Sequence, residues 1–203
     1  MSSASTVVES SVLWHVFEAM RVIAGSLKGR RLKTPTWDGL RPTSDKLRET
    51  LFNILAPRIG GARVLDGYAG TGAVGLEALS RGAAHVTFVE QDRRAQTLIA
   101  DNLAHCGVAE GYAIIRASAT RALSDLQTSG AAFDVILLDP PYGEDADRLH
   151  TVLAQAAGVA APGGLIVLEH ARAHPAPDSA GPLARTREVT SGDSVLTFYA
   201  CPL

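Results

Sequence analysis

The chain of 203 residues is 46% apolar and 5% aromatic, so it can bury one substantial hydrophobic core and little more. Its two cysteines, Cys106 and Cys201, stand far apart without a paired spacing, which argues against a disulfide framework and a zinc site and fits a reducing cytoplasm. The net charge is only -2, but residues 20–63 carry ten Lys and Arg against three Asp and Glu, whereas residues 64–203 carry nine against sixteen.

The first nineteen residues show no pattern of a folded element. Their apolar stretch at 12–14 is interrupted by His15 and Glu18, and no cationic segment precedes it, so no signal peptide is expected. Since no run of about eighteen apolar residues occurs, a membrane span is not expected either. We interpret residues 1–19 as a disordered extension of a cytoplasmic protein that begins to fold at Met20.

A basic region follows at residues 20–60. The segments 21–24 and 30–33 are predicted as two short strands, joined by a turn at 26–29 in a hairpin-like arrangement. A helix is expected over 44–56, with leucines at helical spacing, and Pro57 with Gly60 and Gly61 should end it. The cations of the predicted hairpin suit contacts with the phosphates of a nucleic acid, although a solvated charged face is the alternative; they are Arg21, Lys28, Arg30, Arg31 and Lys33.

From residue 61 onward, apolar runs alternate with helical patterns. This alternation predicts an α/β domain over 61–203, with parallel strands and helices on both faces of the sheet. The segment 174–182 is expected to be a surface loop. The predicted parallel strands are 62–65, 85–89, 112–116, 133–138 and 165–169, and a closing antiparallel hairpin is predicted from 185–189 and 195–200.

A glycine-rich loop comes directly after the first of these strands, and a helix follows it. Glycines there allow a sharp turn and let a ligand approach the backbone at the helix N-terminus. The spacing of Gly70, Gly72 and Gly75 also fits a dinucleotide site, so a nicotinamide or flavin enzyme stays an alternative, as does a turn without a ligand. The loop consists of Asp66, Gly67, Tyr68, Ala69, Gly70, Thr71 and Gly72.

Two further positions suit a nucleoside. Glu90 ends the second predicted strand, where its carboxylate could accept hydrogen bonds from ribose hydroxyls or simply lie near a helix N-terminus. Ser118 and Ala119 follow the third strand and could border an adenine, but Ser118 is equally suited to cap a helix.

The most specific motif is Asp139-Pro140-Pro141-Tyr142, at the end of the fourth predicted strand, where open parallel sheets have their ligand crevice. The prolines stiffen the turn and remove two backbone donors. The Asp139 carboxylate and the Pro140 carbonyl could then each accept a hydrogen bond from one NH2 group, while Tyr142 stacks on the base that carries it. The alternative is a simple turn that ends the strand.

These motifs together resemble the bacterial 16S ribosomal RNA guanine-N(2) methyltransferase family of the RsmD type. The resemblance extends from Met20 to the C-terminus. It rests on Asp66 to Gly72, Glu90 and Asp139 to Tyr142 in this order, and on the segments 20–25, 29–30, 41–43, 48–53 and 75–82.

The resemblance implies a class I S-adenosylmethionine methyltransferase with a Rossmann-like, seven-stranded, mostly parallel sheet. It implies that the cofactor S-adenosylmethionine is held by the loop from Asp66 to Gly72, by Glu90 with Gln91, by Ser118 and Ala119, and at one edge by Arg41 and Thr43. The partner would be 16S rRNA within small subunits, docked on residues 20–60, and no metal is expected. Gly67 and Ser118 depart from the pattern, because a larger apolar residue and an acidic or amide residue are usual there.

Other functions remain open at this point. A DNA adenine-N6 methyltransferase would use the same Asp-Pro-Pro-Tyr chemistry, although only about twenty residues separate Tyr142 from Gly163, too few for a large target-recognition region. A noncatalytic RNA-binding protein is a further alternative. The histidines, including His170 and His174, show no spacing that favours a metal site.

Overall fold

A single mixed sheet organises the part of the chain that the computed structural model describes, residues 20–37, 44–141 and 146–202. Within these ranges the helices are α1 (Asp45–Ile59), α2 (Ala73–Ser80), α3 (Arg93–His105), α4 (Ala119–Thr128) and α5 (Ala146–Ala157). The strands are β1 (Arg63–Asp66), β2 (His85–Glu90), β3 (Tyr112–Arg116), β4 (Phe133–Leu138), β5 (Ala160–Ala171), β6 (Ser179–Ala180), β7 (Leu183–Ser191) and β8 (Ser194–Ala200).

The strand order is β3-β2-β1-β4-β5-β8-β7-β6. The first five strands of the chain pair in parallel, and β8 joins β5 antiparallel. The carboxyl ends of β1, β2, β4 and β5 therefore share one edge of the sheet. The strand order reverses between β1 and β4, and open α/β sheets bind ligands at such a switch point.

Apolar side chains cover both faces of the parallel strands, as their continuous apolar sequences require. One face packs on α1, α2 and α3 through residues such as Phe52, Leu76 and Ile99. The other packs on α4 and α5 through Leu123 and Leu153. The α/β class predicted from the alternating pattern is confirmed.

Helix α1 is longer than predicted. Ser44 caps it by accepting a hydrogen bond from the Leu47 backbone N–H at 3.2 Å. Of the residues predicted to end it, Gly60 is the C-cap, as expected, but Pro57 lies inside the last turn and the helix continues to Ile59. The proline removes only one donor from the helix, and the extra residues bring Ile59 into the core at 3% exposure.

The sheet has one strand more than the seven that were expected. The additional strand, β6, is two residues long and pairs with β7 at the edge of the sheet. It lies within the segment 174–182, so part of the predicted surface loop is in fact an edge strand. Strand β5 is also longer than predicted, since it pairs with β8 as far as Ala171.

The basic hairpin, which we define as residues 20–33, is a turn rather than a pair of regular strands. A single antiparallel bridge joins Arg21 to Arg31, and the Val22 N–H donates to the Arg30 carbonyl at 2.9 Å. The expected strands at 21–24 and 30–33 therefore do not form as regular strands. Met20, Val22 and Leu32 are buried in the same core as α1 and the sheet, while residues 1–19 lie outside the described ranges.

Candidate active site

A cleft opens at the carboxyl ends of β1, β4 and β5, beneath α1. Its empty volume is about 660 Å³, part of which is open to solvent. The lining combines the glycine loop, apolar side chains from α1 and the sheet, and the three carboxylates of Asp66, Asp139 and Glu169. The complete set of lining residues is Leu47, Leu51, Asp66, Tyr68, Ala69, Gly70, Thr71, Ala73, Val74, Leu137, Leu138, Asp139, Val167, Glu169 and Leu196.

The loop after β1 is held in a fixed shape by backbone contacts. The Gly67 N–H donates to the Leu137 carbonyl at 2.8 Å, and the Ala69 N–H donates to the Val89 carbonyl at 3.0 Å. Gly70 and Gly72 have φ values of 52° and 78°, a region that side chains with a Cβ rarely adopt. Gly72 is also the N-cap of α2, so the loop delivers the chain directly into that helix.

The packing shows what a side chain at position 67 would meet. A Cβ at this position would lie 2.7 Å from Leu138 Cδ2 and 3.3 Å from the Leu137 carbonyl oxygen. In this chain Leu138 therefore fills space that a side chain at 67 would need. At Gly72, a Cβ would meet Ile99 of α3 at 3.3 Å rather than point into the cleft.

Asp66 ends β1 and is 4% exposed. Its Oδ2 accepts a hydrogen bond from the Gly75 N–H at 3.0 Å, which ties the strand end to α2. Burial, and to a smaller extent the negative charge of Glu90, raise the pKa of Asp66 to about 7, against the opposing hydrogen bonds from Gly75 and Tyr68. A cationic ligand in the cleft would favour its ionised form.

Glu90 organises the same loop from the end of β2. Its Oε2 accepts from the Gly70 N–H at 3.0 Å, and its Oε1 accepts from the Asp92 N–H at 2.8 Å. A carboxylate has about four acceptor sites, so these two bonds leave capacity for ribose hydroxyls. Its neighbour Gln91 is exposed to solvent.

Ser118 caps α4. Its hydroxyl accepts from the Arg121 N–H at 3.4 Å, as expected for a helix cap, and its side chain is exposed. Ala119 is buried in the first turn of that helix. Neither residue lines the cleft described above.

The Asp-Pro-Pro turn lies where the sequence predicted it. Asp139 follows β4 and lines the cleft, partly exposed, while Pro140 is buried and Pro141 is exposed. Tyr142, Arg41 and Thr43, the other predicted site residues in this area, lie outside the described residues.

Glu169 was not predicted as a site residue. It lies near the end of β5, is 9% exposed and lines the cleft. The sequence contained a usable signal, because Glu169 ends a predicted strand of the parallel sheet, as Glu90 does. In the sequence, Leu47 and Leu51 of α1 indicated only a helix by their spacing, and in the structure they form one wall of the cleft.

The side chains of the basic hairpin are largely on the surface. Lys28, Arg30 and Arg31 are exposed. The Lys33 Nζ lies 3.0 Å from an Asp101 carboxylate oxygen, and Arg21 Nε lies 3.8 Å from one of Asp45; the Lys33 and Arg21 side chains are 53% and 56% exposed. Exposed pairs of this kind contribute little to stability, so these cations remain accessible to an anionic partner.

The strand order and the position of the cleft place the protein in the class I methyltransferases that use S-adenosylmethionine. A sequence-family model described as "Conserved hypothetical protein 95" matches residues 20–200, and the chain belongs to that family. This confirms the resemblance to methyltransferases of the RsmD type.

Named relatives agree with this assignment. "Putative rRNA methyltransferase YlbH" of Bacillus subtilis is 38% identical over 180 residues, which cover 89% of this chain and 98% of that one. "Ribosomal RNA small subunit methyltransferase D" of Escherichia coli is 44% identical over 123 residues, 61% of this chain and 60% of that one. The structure of "Putative methyltransferase yhhF" from Escherichia coli superposes with a TM-score of 0.76 at 33% identity, covering 91% of this chain and 98% of that one.

In the described ranges, no three His, Cys, Asp or Glu side chains are grouped so that they could hold a metal ion. No helix in those ranges has the length and apolar character needed to cross a membrane.

Proposed function

We propose that the protein methylates the exocyclic N2 amine of a guanine in 16S rRNA, using S-adenosylmethionine as the methyl donor. The observation that carries the proposal is Asp139, the first residue of the Asp139-Pro140-Pro141 turn, which lines one cleft together with the glycine loop. The two relatives named as ribosomal RNA methyltransferases support rRNA as the substrate, in preference to DNA.

The residues present suit S-adenosylmethionine. The donor has an ammonium group and a sulfonium sulfur, and the cleft has buried or partly buried carboxylates at Asp66 and Asp139 to complement positive charge. The loop at Gly70 brings backbone close to the cleft, and Glu90 lies next to it for the ribose. S-adenosylmethionine, when bound, supplies a methyl group on a positively charged sulfur.

The chain then has to hold an amine in the attacking orientation. The Asp139 carboxylate and the Pro140 carbonyl each accept one N–H of the amine, and this fixes the direction of the nitrogen lone pair. The apolar walls from Leu51, Leu137 and Val167 exclude water from the reacting groups. As the new N–CH3 bond would form, the S–CH3 bond would break and release neutral S-adenosylhomocysteine. The methylated nitrogen would lose its extra proton late, to the Asp139 carboxylate that already accepts this N–H, so orientation and desolvation suffice and no strong base is needed.

Docking of the RNA is assigned to the basic hairpin. Its five cations lie within a short segment that packs beside α1, and α1 forms a wall of the cleft. Phosphate contacts at such a segment position the nucleic acid without reading its sequence. The partner is proposed to be the assembled small subunit or a late assembly intermediate.

The experiment is labelled methyl transfer to 30S particles isolated from cells that lack this methyltransferase, followed by nucleoside analysis of the rRNA. We expect incorporation of one methyl group into 16S rRNA, recovered as N2-methylguanosine. Fully methylated 30S particles and double-stranded DNA serve as controls. Labelled N6-methyladenosine, or transfer only to DNA, would contradict the proposal.

A further inference from the structure

We propose that Glu169 is a specificity-determining residue, which selects guanine by accepting a hydrogen bond from its N1–H. This inference rests on the proposed function and adds to it the residue that reads the base. Glu169 lies outside the Asp-Pro-Pro-Tyr motif and the glycine loop, and the methyl transfer described above gives it no role.

The register of the sheet places Glu169 beside the catalytic turn. Strands β4 and β5 are parallel, and Leu138 pairs with Leu168. The next residues along the two strands are Asp139 and Glu169. Because side chains alternate between faces, Asp139 and Glu169 follow Leu137 and Val167 on the same face of the sheet, the face that α1 covers.

The surroundings of Glu169 make its hydrogen bond selective. It is 9% exposed, it pairs across to Leu196 of β8, and Val167 and Leu196 line the cleft next to it. A largely buried carboxylate bonds strongly to a donor and strongly disfavours an acceptor that is placed against it. A base with a donor at this position is therefore favoured over one with a lone pair.

Guanine supplies the matching pattern of donors. Its Watson–Crick edge carries three N–H bonds, one on N1 and two on the N2 amine, and enzymes that flip a base read this edge. The cleft is lined by two carboxylates that can accept them, Asp139 for the amine and Glu169 for N1–H. The Pro140 carbonyl, next along the chain from Asp139, is the proposed third acceptor. The base 2-aminopurine keeps the same amine but has an unprotonated N1, so it would turn a lone pair toward Glu169.

The test uses 30S particles reconstituted with 16S rRNA that carries either guanine or 2-aminopurine at the methylated position, once nucleoside analysis has mapped it. Single-turnover methylation by the unaltered protein should be about 10- to 100-fold faster on guanine, the usual range for a hydrogen bond to a buried charged group. This comparison requires no variant. Equal rates on the two bases would overturn the proposal.

The variant Glu169→Gln provides a second, independent measurement. Its amide can donate to the unprotonated N1 of 2-aminopurine, so the preference for guanine should fall at least tenfold. A residue with a merely structural role would slow both reactions equally, and that result would refute the inference. Glu110→Gln is the matched control, since Glu110 is exposed and lies at the amino end of β3, away from the cleft edge.

Calorimetric binding of S-adenosylhomocysteine distinguishes a role of Glu169 at the base from a role at the cofactor. Its affinity for Glu169→Gln should stay within about threefold of that for the unaltered protein. A large loss would assign Glu169 to the cofactor site and overturn its assignment to the base. If the unaltered protein methylates no guanine in any 30S particle, the proposed function itself fails, and this outcome is distinct from the others.

Discussion

Asp139 is the residue on which the proposed chemistry depends most directly. Replacement by alanine removes the carboxylate that orients the amine but leaves the glycine loop intact. We expect Asp139→Ala to lose at least 100-fold in single-turnover rate while its affinity for S-adenosylmethionine stays within an order of magnitude. Quench-flow methylation and calorimetry measure the two quantities separately. A near-normal rate would contradict the proposed mechanism.

The titration of Asp66 gives a prediction for stability. Its pKa is about 7 in the folded protein, against an ordinary value of 3.8, so the folded protein holds this proton more tightly than the unfolded chain. The contribution of Asp66 to stability is therefore fully present below pH 4 and is lost as the pH rises toward 7. The total effect is up to about 4 kcal/mol.

The variant Asp66→Asn tests this dependence, because asparagine has no charge to bury and keeps an oxygen that can accept the Gly75 N–H. The free energy of unfolding is measured by urea unfolding at pH 5 and at pH 8. Its decrease from pH 5 to pH 8 should be smaller in the variant than in the unaltered protein. Asp134→Asn, an exposed aspartate, is the control. The same loss for Asp66→Asn as for the unaltered protein would mean that Asp66 has an ordinary pKa.

At the scale of elements, the basic hairpin is attached to the sheet domain by buried polar side chains. Glu77 of α2 is completely buried and accepts hydrogen bonds from the Ile23 and Ala24 N–H groups at 2.7 and 3.0 Å, and from Arg81 Nε at 2.6 Å. Ser80 of the same helix accepts from the Leu27 N–H at 2.9 Å. These contacts replace the strand pairing that the hairpin lacks.

We therefore expect Glu77→Ala to be strongly destabilising, by about 3–5 kcal/mol, because it leaves two backbone donors and the Arg81 guanidinium without their acceptor. Asp125→Ala is a matched control: it breaks the exposed Arg121–Asp125 pair, which has the same helical spacing, and should cost less than about 1 kcal/mol. Both are measured by urea unfolding. Similar losses for the two variants would show that Glu77 does not anchor the hairpin.

The side chains of the hairpin carry a different prediction. Replacing Lys28, Arg30, Arg31 and Lys33 by alanine should weaken binding to 30S particles and make its salt dependence shallower by up to about one log unit for each lost phosphate contact. S-adenosylmethionine binding should be almost unchanged, since the anchoring contacts of the hairpin with Glu77 and Ser80 involve its backbone.

The control for this experiment is Arg172→Ala with Arg187→Ala, two exposed arginines in and near the antiparallel part of the sheet. Their removal should leave the salt slope unchanged. If the quadruple variant also keeps its slope, the hairpin is a solvated charged surface and the RNA docks elsewhere.

Across the whole molecule, the sequence predicted best what depends on local patterns. The strands of the parallel sheet are apolar runs bounded by turns, and the predicted positions of β3 and β4 match the structure. The glycine loop and Asp139 follow strands at the same edge, so the sequence also predicted that they meet. Where packing between distant segments determines the local structure or the position of a side chain, the predictions failed or were incomplete.

Three cases show this physical limit. The predicted hairpin strands were wrong because their backbone groups bond partly to Glu77 and Ser80, more than 50 residues away. The glycine at 67 can be explained only once Leu138 is seen to fill the neighbouring space. Glu169 becomes a candidate only when the register of β4 with β5 places it next to Asp139.

One contact in the core has a consequence for how the two ligands bind. Asn102 of α3 accepts from the Lys33 N–H at 2.7 Å and donates to the Lys33 carbonyl at 3.1 Å and to the Thr71 carbonyl at 3.0 Å. A single buried amide thus joins the end of the basic hairpin to the loop that lines the cleft. If RNA docks on the hairpin as proposed and shifts it, these hydrogen bonds would pass the shift to that loop.

Binding of RNA and of cofactor should therefore be reciprocally coupled: if 30S particles raise the affinity for S-adenosylhomocysteine, the cofactor product raises the affinity for 30S particles by the same factor. We expect a severalfold effect that Asn102→Ala reduces and that Asn53→Ala, at an exposed asparagine, leaves unchanged. Equilibrium titrations in both directions measure it. Equal factors in the unaltered protein and in Asn102→Ala would show that this amide does not transmit the coupling, and a factor of one in the unaltered protein would show that the two ligands bind independently.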